Sequence, residues 1–229
     1  MIRIRLSSLM LSRQPANPKT HRASEGVLVP LAFTGDAAAL VEALRANHPG
    51  AKAAFFQRYA RLVERIITHV LGFDAELADV LQDTFAGALS SLHTLQDPSA
   101  LEAWLSRVAA LTARKVLRGR TRRAWLRRFI DSAEEDRYEP TGSALDVEGR
   151  RALRAVYTVL GRLPADERVA FALRFIDGME LTEVAAACQV SLATIKRRLS
   201  RAESRFLANA RNYPELAQWV GGGSRWQDR

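Results

Sequence analysis

Residues 178–206 limit what this chain can fold into more than any other stretch. They read GMELTEVAAACQVSLATIKRRLSRAESRF: a short apolar run, a turn at Gln189 to Ser191, and a longer basic run. In the second run Leu192, Ile195, Leu199, Ala202 and Phe206 recur at spacings of three and four. At helical periodicity these residues share one face, which must pack against something. Ala193, Arg197, Ser200 and Ser204 fall on the opposite face, flanked by Thr194, Lys196, Arg198, Arg201 and Arg205. Ser191 stands where a helix wants a hydroxyl to accept an orphan N–H. The pattern predicts a helix-turn-helix whose second helix has one side for a core and one for a polyanion. A solvated helix that only closes a bundle would mix signs to gain pairs one turn apart, but Glu203 alone opposes five basic residues here. Arg197, central on the outward face near the helix start, lies where a major-groove helix presents base-reading residues. Arg198, Arg201 and Arg205 toward one flank, and Lys196 toward the other, suit phosphates.

An anionic partner also follows from bulk charge. Thirty-four Lys and Arg against 25 Asp and Glu leave a formal charge of +9 on 229 residues. An apolar content of 48% suffices for one large core or two small ones. The sequence has no apolar run long enough for a bilayer, and its basic start, broken by Ser7 and Ser8, makes a poor signal peptide, so the expected location is cytoplasmic. One cysteine, Cys188, excludes an internal disulfide framework and reads as a small buried hydrophobe. His21, His48, His69 and His93 show no ligand spacing, and no phosphate loop, nucleophile elbow or zinc motif is present. The expectation is a protein with no cofactor, no metal and no catalysis.

Residues 1–34, interrupted by Pro15, Pro18 and Pro30, read as a mobile arm. A first helical domain is expected over residues 36–130. Phe55, Phe56, Tyr59, Leu62, Val63, Ile66, Ile67 and Val70 form one stripe ended by Gly72. Asp74 can cap a second helix running to about Leu92, with Leu77, Val80, Leu81, Phe85 and Leu89 inward and Asp79, Gln82 and Asp83 outward. After a loop from His93 to Pro98, Ser99 and Glu102 match a capping box for a third helix carrying Leu101, Trp104, Leu105, Val108, Leu111 and Val116. That helix continues through Arg114, Lys115, Arg118, Arg120, Arg122, Arg123, Arg127 and Arg128 with no acid. Trp104, Trp125 and Phe129 add aromatic surface suited to stacking on bases, although Trp104 serves equally well as core.

Composition then reverses. Residues 131–149, rich in Asp and Glu and spaced by Ser, Pro and Gly, predict an acidic flexible linker. A second domain is expected over 150–212, with Leu153, Val156, Tyr157 and Leu160 in one helix. Pro164, Asp166 and Glu167 open the next, and Val169, Leu173 and Phe175 give it a core face. Residues 213–229 read as a frayed tail. The fold class is all-α, two small helical domains, the second a helix-turn-helix.

Both halves resemble one family, the extracytoplasmic-function (ECF) group of bacterial sigma factors, over about residues 50 to 210. The first half carries the resemblance in Asp79-Val80-Leu81-Gln82-Asp83-Thr84-Phe85 and Trp104-Leu105-Ser106-Arg107-Val108-Ala109. The second carries it in Leu163-Pro164, Glu183-Val184-Ala185 and the run from Ala193 to Ala202. The resemblance implies a first domain docked on the β′ clamp helices of core RNA polymerase through Asp79, Gln82 and Asp83. It implies that Leu95, Gln96 and Asp97 receive a flipped minus-ten base, with Trp104, Arg107, Leu111, Arg114, Lys115 and Arg118 on the helix behind them along the single strand. The second domain would read the minus-thirty-five duplex through Ser191, Ala193, Thr194, Lys196, Arg197, Arg198, Ser200, Arg201 and Arg205, beside the polymerase β flap. The linker would lie along the RNA channel, and an anti-sigma protein is a possible further partner. This chain departs from the family at Leu111, where Asn is usual, at Lys115, where an acid is usual, and at Ala193 and Arg197, where Gly and Ser are usual. The rival readings are a helix-turn-helix regulator that never docks on polymerase and a nucleic-acid-modifying enzyme built on the same domains.

Overall fold

The computed structural model describes residues 35–72, 76–127 and 147–216. Among these residues every regular element is helical. Asp36 accepts the Ala39 amide at 2.8 Å and starts α1 (Ala37–Arg45), which buries Leu40, Val41 and Leu44. A turn through Asn47 and Gly50, both at positive φ, leads into α2 (Ala51–Leu71), 21 residues long. α3 (Leu77–Ser91) buries Val80, Thr84, Phe85 and Ala88. Asp74, expected to cap this helix, lies outside the described residues. After short 3₁₀ turns at Leu92–Thr94 and Pro98–Ala100, α4 (Leu101–Arg127) runs 27 residues, roughly 40 Å of rod. α2, α3 and α4 pack around one core, with Phe55 edge-on to Phe85 at 5.3 Å.

The second unit begins with α5 (Val147–Gly161), whose start overlaps the end of the expected linker. α6 (Ala165–Phe171) follows Pro164 and widens into a π-type turn (Ala172–Asp177) that Gly178 ends at φ 87°. α7 (Leu181–Cys188) and α8 (Leu192–Ala210) are the helix-turn-helix, and the apolar face of α8 packs on α6 and α5. Phe171 stacks on Phe206 at 4.9 Å between centroids.

One expectation about the core is corrected. The apolar spacing puts Phe56 on the buried stripe with Phe55, but it is 45% exposed, its ring 4.9 Å from that of Phe85. The core-facing line of α2 runs through Phe55, Tyr59, Val63, Ile66 and Val70, and Phe56 stands about 100° round the helix from Phe55. The arm at 1–34, Arg128, Phe129, residues 131–146 of the expected linker and the tail from 217 lie outside the described residues.

The two helical units close on one another. α4 packs against α7 and α6, and the last turn of α2 packs against the π-type turn. Thr68, His69, Val70 and Leu71, at the end of α2, are all buried. Gly72, at φ +88°, brings the backbone so near Tyr157 that an added Cβ would sit 3.0 Å from the Tyr157 ring.

Candidate nucleic-acid interface

The helix-turn-helix is fixed at each corner by its own residues. Glu180 and Glu183 form a reciprocal capping box at the start of α7, the Glu183 carboxylate accepting the Glu180 amide at 2.7 Å. Gln189 takes the left-handed conformation that ends α7, at φ 55°. Ser191 Oγ accepts the Thr194 amide at 3.2 Å and starts α8. Ile195, Leu199, Ala202, Phe206 and Ala210 are buried. Ser191, Ala193, Lys196, Arg197, Ser200, Arg201 and Arg205 are exposed, while Thr194 and Arg198 are half-buried. Leu192, which the apolar spacing places on the core stripe, is 38% exposed, whereas Ile195 three residues on is fully buried. The Arg197 guanidinium reaches back to Thr194 Oγ1 at 3.4 Å. The neighbouring arginines are engaged within the fold: Arg205 donates to the buried Glu167 carboxylate at 2.9 Å, and Arg198 lies 3.7 Å from Asp166.

The loop before α4 is built differently from expectation. Ser99 and Glu102 do not form the capping box. Asp97 instead accepts the Ser99 amide at 2.9 Å and the Ser99 hydroxyl at 2.7–2.8 Å, which starts the 3₁₀ turn with Pro98 at its first position. Those two hydrogen bonds favour the ionised form and hold the Asp97 carboxyl below its ordinary pKa, the side-chain bond being the larger cause. Leu95 is 3% exposed, so its side chain is core, and its carbonyl accepts a 2.6 Å hydrogen bond from Arg45 of α1. Trp104 is 5% exposed, and its indole N–H donates to Thr94 Oγ1 at 3.1 Å. These two apolar residues support the loop from behind, leaving Gln96 and Asp97 as its exposed edge.

Along α4, Arg107, Leu111 and Arg114 are half-buried and Lys115 and Arg118 exposed. Leu111 and Arg114 do not face open solvent. With Ala110 they line a narrow crevice whose other wall is Asp166, Val169, Ala187, Cys188 and Arg198 of the second unit. Arg118 donates to Asp166 Oδ2 at 2.8 Å, and Arg114 lies 3.6 Å from Oδ1. Burial pushes the Cys188 thiol up to about 11 against the opposing pull of Arg198 and Arg114, with Asp166 adding to the rise. Trp125, further along, is 58% exposed. On α3, Asp79, Gln82 and Asp83 are exposed, opposite Val80, Thr84, Phe85 and Ala88, and neither acid pairs with a cation among the described residues.

Sequence reasoning missed the residues that join the units. Tyr157 donates its hydroxyl to the Thr68 carbonyl at 3.1 Å. Arg168 donates to the Val70 and Leu71 carbonyls at 2.8 and 2.9 Å. Asp177 accepts from Arg65 at 2.9 Å and meets His69 Nδ1 at 2.8 Å. No local pattern announces such contacts, because the partners are about a hundred residues apart.

Among the described residues no group of His, Cys, Asp and Glu could hold a metal ion, and no helix is long and apolar enough to cross a membrane. Two family models match the chain, Sigma-70 region 2 over residues 55–130 and Sigma-70 region 4 over residues 153–206, together more than half its length. The ECF RNA polymerase sigma-E factors of Escherichia coli K12 and Salmonella typhimurium LT2 are each 27% identical over 170 residues, 71% of this chain and 88% of theirs. The sigma-E factor of Haemophilus influenzae is 26% identical over 171 residues, 72% of this chain and 89% of its own. Two solved structures share the fold. CnrH, in complex with the cytosolic domain of CnrY, has a TM-score of 0.50 at 24% identity over 76% of this chain and 96% of that one. The Bartonella quintana sigma factor RpoE, in complex with the anti-sigma factor NepR, has a TM-score of 0.50 at 23% identity over 69% and 96%. With regions 2 and 4 present in order, one ending in a long basic helix and the other in a capped helix-turn-helix, the chain belongs to the ECF group of bacterial sigma factors.

Proposed function

We infer that this protein joins core RNA polymerase transiently and directs it to promoters, recognising duplex through its second helical unit and opening and holding a single strand through its first. The observation that carries this reading is the pairing of two different surfaces in one chain. α8 presents a basic reading face, and α3 presents an unpaired acidic one. Outward acids repel phosphate, so in a chain of charge +9 they suit a basic protein partner better than DNA. A regulator that binds duplex alone has no use for that second surface, which disfavours the alternative.

In this reading Asp79, Gln82 and Asp83 meet the β′ clamp helices, and the second unit sits near the β flap. Gln96 and Asp97 form the edge that receives an unpaired base, with Arg107, Leu111, Arg114, Lys115 and Arg118 along the strand and Leu95 and Trp104 behind it. The duplex is met by Ser191, Ala193, Thr194, Lys196, Arg197, Arg198, Ser200, Arg201 and Arg205. The protein contributes no bond-making chemistry of its own, and it works where the chromosome is, in the cytoplasm. The Bartonella relative is seen bound to an anti-sigma factor, and a protein of that kind is a reasonable partner here.

The test is transcription by purified core polymerase on a genomic fragment library, with and without this protein. The expected outcome is a discrete set of new start sites. Reversing Asp79 and Asp83 to Lys should abolish both these starts and co-purification with core polymerase, while the helical circular-dichroism signal and duplex binding persist. A double variant that still assembles and initiates normally refutes the docking assignment. Duplex binding without any new start site supports the regulator instead.

A further inference from the structure

At the crevice between the two units, one carboxylate, Asp166, meets three guanidiniums. Arg118 donates to Asp166 Oδ2 at 2.8 Å, Arg114 lies 3.6 Å from Oδ1, and Arg198 lies 3.7 Å from Oδ2. Arg114 and Arg118 belong to α4, on the strand-facing surface of the first unit, whereas Arg198 belongs to the duplex-facing helix of the second. A single anion thus gathers cations from both nucleic-acid surfaces, as a DNA phosphate would. The Asp166 side chain is 28% exposed, and those of Arg114 and Arg198 are 27% and 21% exposed. Their mutual interaction is therefore screened less than that of a surface pair. Asp166 Oδ1 is buried without a hydrogen bond, so the carboxylate is held by charge and position more than by a full set of donors.

We propose that Asp166 is an internal phosphate mimic that locks the two units together and keeps Arg114, Arg118 and Arg198 occupied until a nucleic-acid phosphate displaces it. The reasoning is electrostatic. Three cations converge on one anion, leaving the junction with an excess of positive charge even when Asp166 is ionised. Removing that anion leaves like charges facing one another across the crevice, which drives the units apart. Polyphosphate offers the same guanidiniums several anions at once and gains counterion release as well, so it wins the exchange. The crevice walls, Leu111 and Ala110 against Val169, Ala187 and Cys188, part when the lock opens.

The lock rests on the assignment of α4 and α8 as nucleic-acid surfaces, and its test separates the two ideas. Cys188, the one cysteine of the chain, is 4% exposed and lines the crevice, so its alkylation by iodoacetamide reports opening in the native protein. The radius of gyration from small-angle scattering reports it independently. Asp166→Asn is expected to raise the alkylation rate and enlarge the particle. It should also tighten binding to a random-sequence 30-base-pair duplex by roughly threefold or more, beyond what Glu64→Gln, a charge-matched change on the exposed face of α2, produces. Asp166→Glu should behave as the wild type. In the wild type itself, saturating duplex should accelerate Cys188 alkylation, a readout that does not depend on any variant folding. If Asp166→Asn stays compact and unreactive, or if saturating duplex leaves Cys188 protected, Asp166 is no lock. If no form of the chain binds duplex, the surface assignment fails, while the alkylation of Asp166→Asn still decides whether Asp166 holds the units closed.

Discussion

Arg197 and Arg198 are neighbours in sequence with different surroundings. Arg197 stands exposed at the start of α8, its guanidinium reaching Thr194 Oγ1 one turn back. Arg198 is half-buried and leans toward Asp166. About 100° of rotation lies between them, and in the proposed function that divides their tasks, Arg197 reading a base and Arg198 meeting a phosphate. Arg197→Ala is expected to cost about 1–3 kcal/mol on the preferred duplex and to relax one base position. Arg198→Ala should weaken every sequence alike and reduce the slope of log affinity against log salt by about one, a phosphate's worth. Titrations of both variants on specific and random duplex over a salt series check this. Equal losses on the two duplexes for both residues would refute the division of labour. Arg205 belongs to the same face but donates to Glu167, which is 7% exposed, so its removal also strands a buried carboxylate and should lower stability as well as affinity.

At the scale of elements, the loop into α4 shows what a sequence conveys and what it withholds. The run Asp97-Pro98-Ser99-Ala100-Leu101-Glu102 fits two starts equally well: Ser99 capping with Glu102 returning the bond, or Asp97 capping a tight turn through Pro98. The fold takes the second. Leu95, held in the core, fixes where the turn begins, and that tertiary constraint is absent from any local pattern. The helix-turn-helix was legible for the opposite reason, because every determinant lies within thirty residues: a periodic apolar face, a capping serine and an uninterrupted basic flank. Its Glu180–Glu183 capping box was legible in principle and overlooked. Asp97 gives the loop a pH signature. Its folded pKa is depressed by Ser99, so the ionised carboxylate stabilises the turn above its unfolded pKa, about 3.9, and that contribution disappears as pH falls through the folded value. Ser99→Ala should return the Asp97 pKa toward the ordinary value, and carboxyl-resolved NMR titration measures it. An unmoved titration would mean that Ser99 does not hold the loop, leaving Gln96 and Asp97 without the rigid edge that the proposed base selection needs.

At the scale of the whole molecule, the helical patterns predicted two units, and the structure adds a joint between them. Arg168 is central to it. Its guanidinium donates to Val70 and Leu71, the last carbonyls of α2, which carry the negative end of that helix and have no partner within it. Arg168 is 9% exposed, so these are desolvated, charge-assisted hydrogen bonds, each worth roughly 1.5–3 kcal/mol. Nearby, Tyr157 satisfies the Thr68 carbonyl, and Gly72 leaves room for its ring. The buried residues of both units form one contiguous core, so while the joint is closed each unit stabilises the other. The intact chain should therefore unfold in a single cooperative transition, its calorimetric and van't Hoff enthalpies agreeing. Arg168→Met keeps the length of the side chain but removes its donors, stranding the carbonyls against apolar atoms in the closed state, whereas the open state returns them to water. The variant should open, and its melt should divide into two smaller transitions, one for each helical unit, with both still helical at low temperature. A variant that melts in one transition at the wild-type midpoint would show that apolar contact alone holds the units together, and that the arginine reaching across the joint only decorates it.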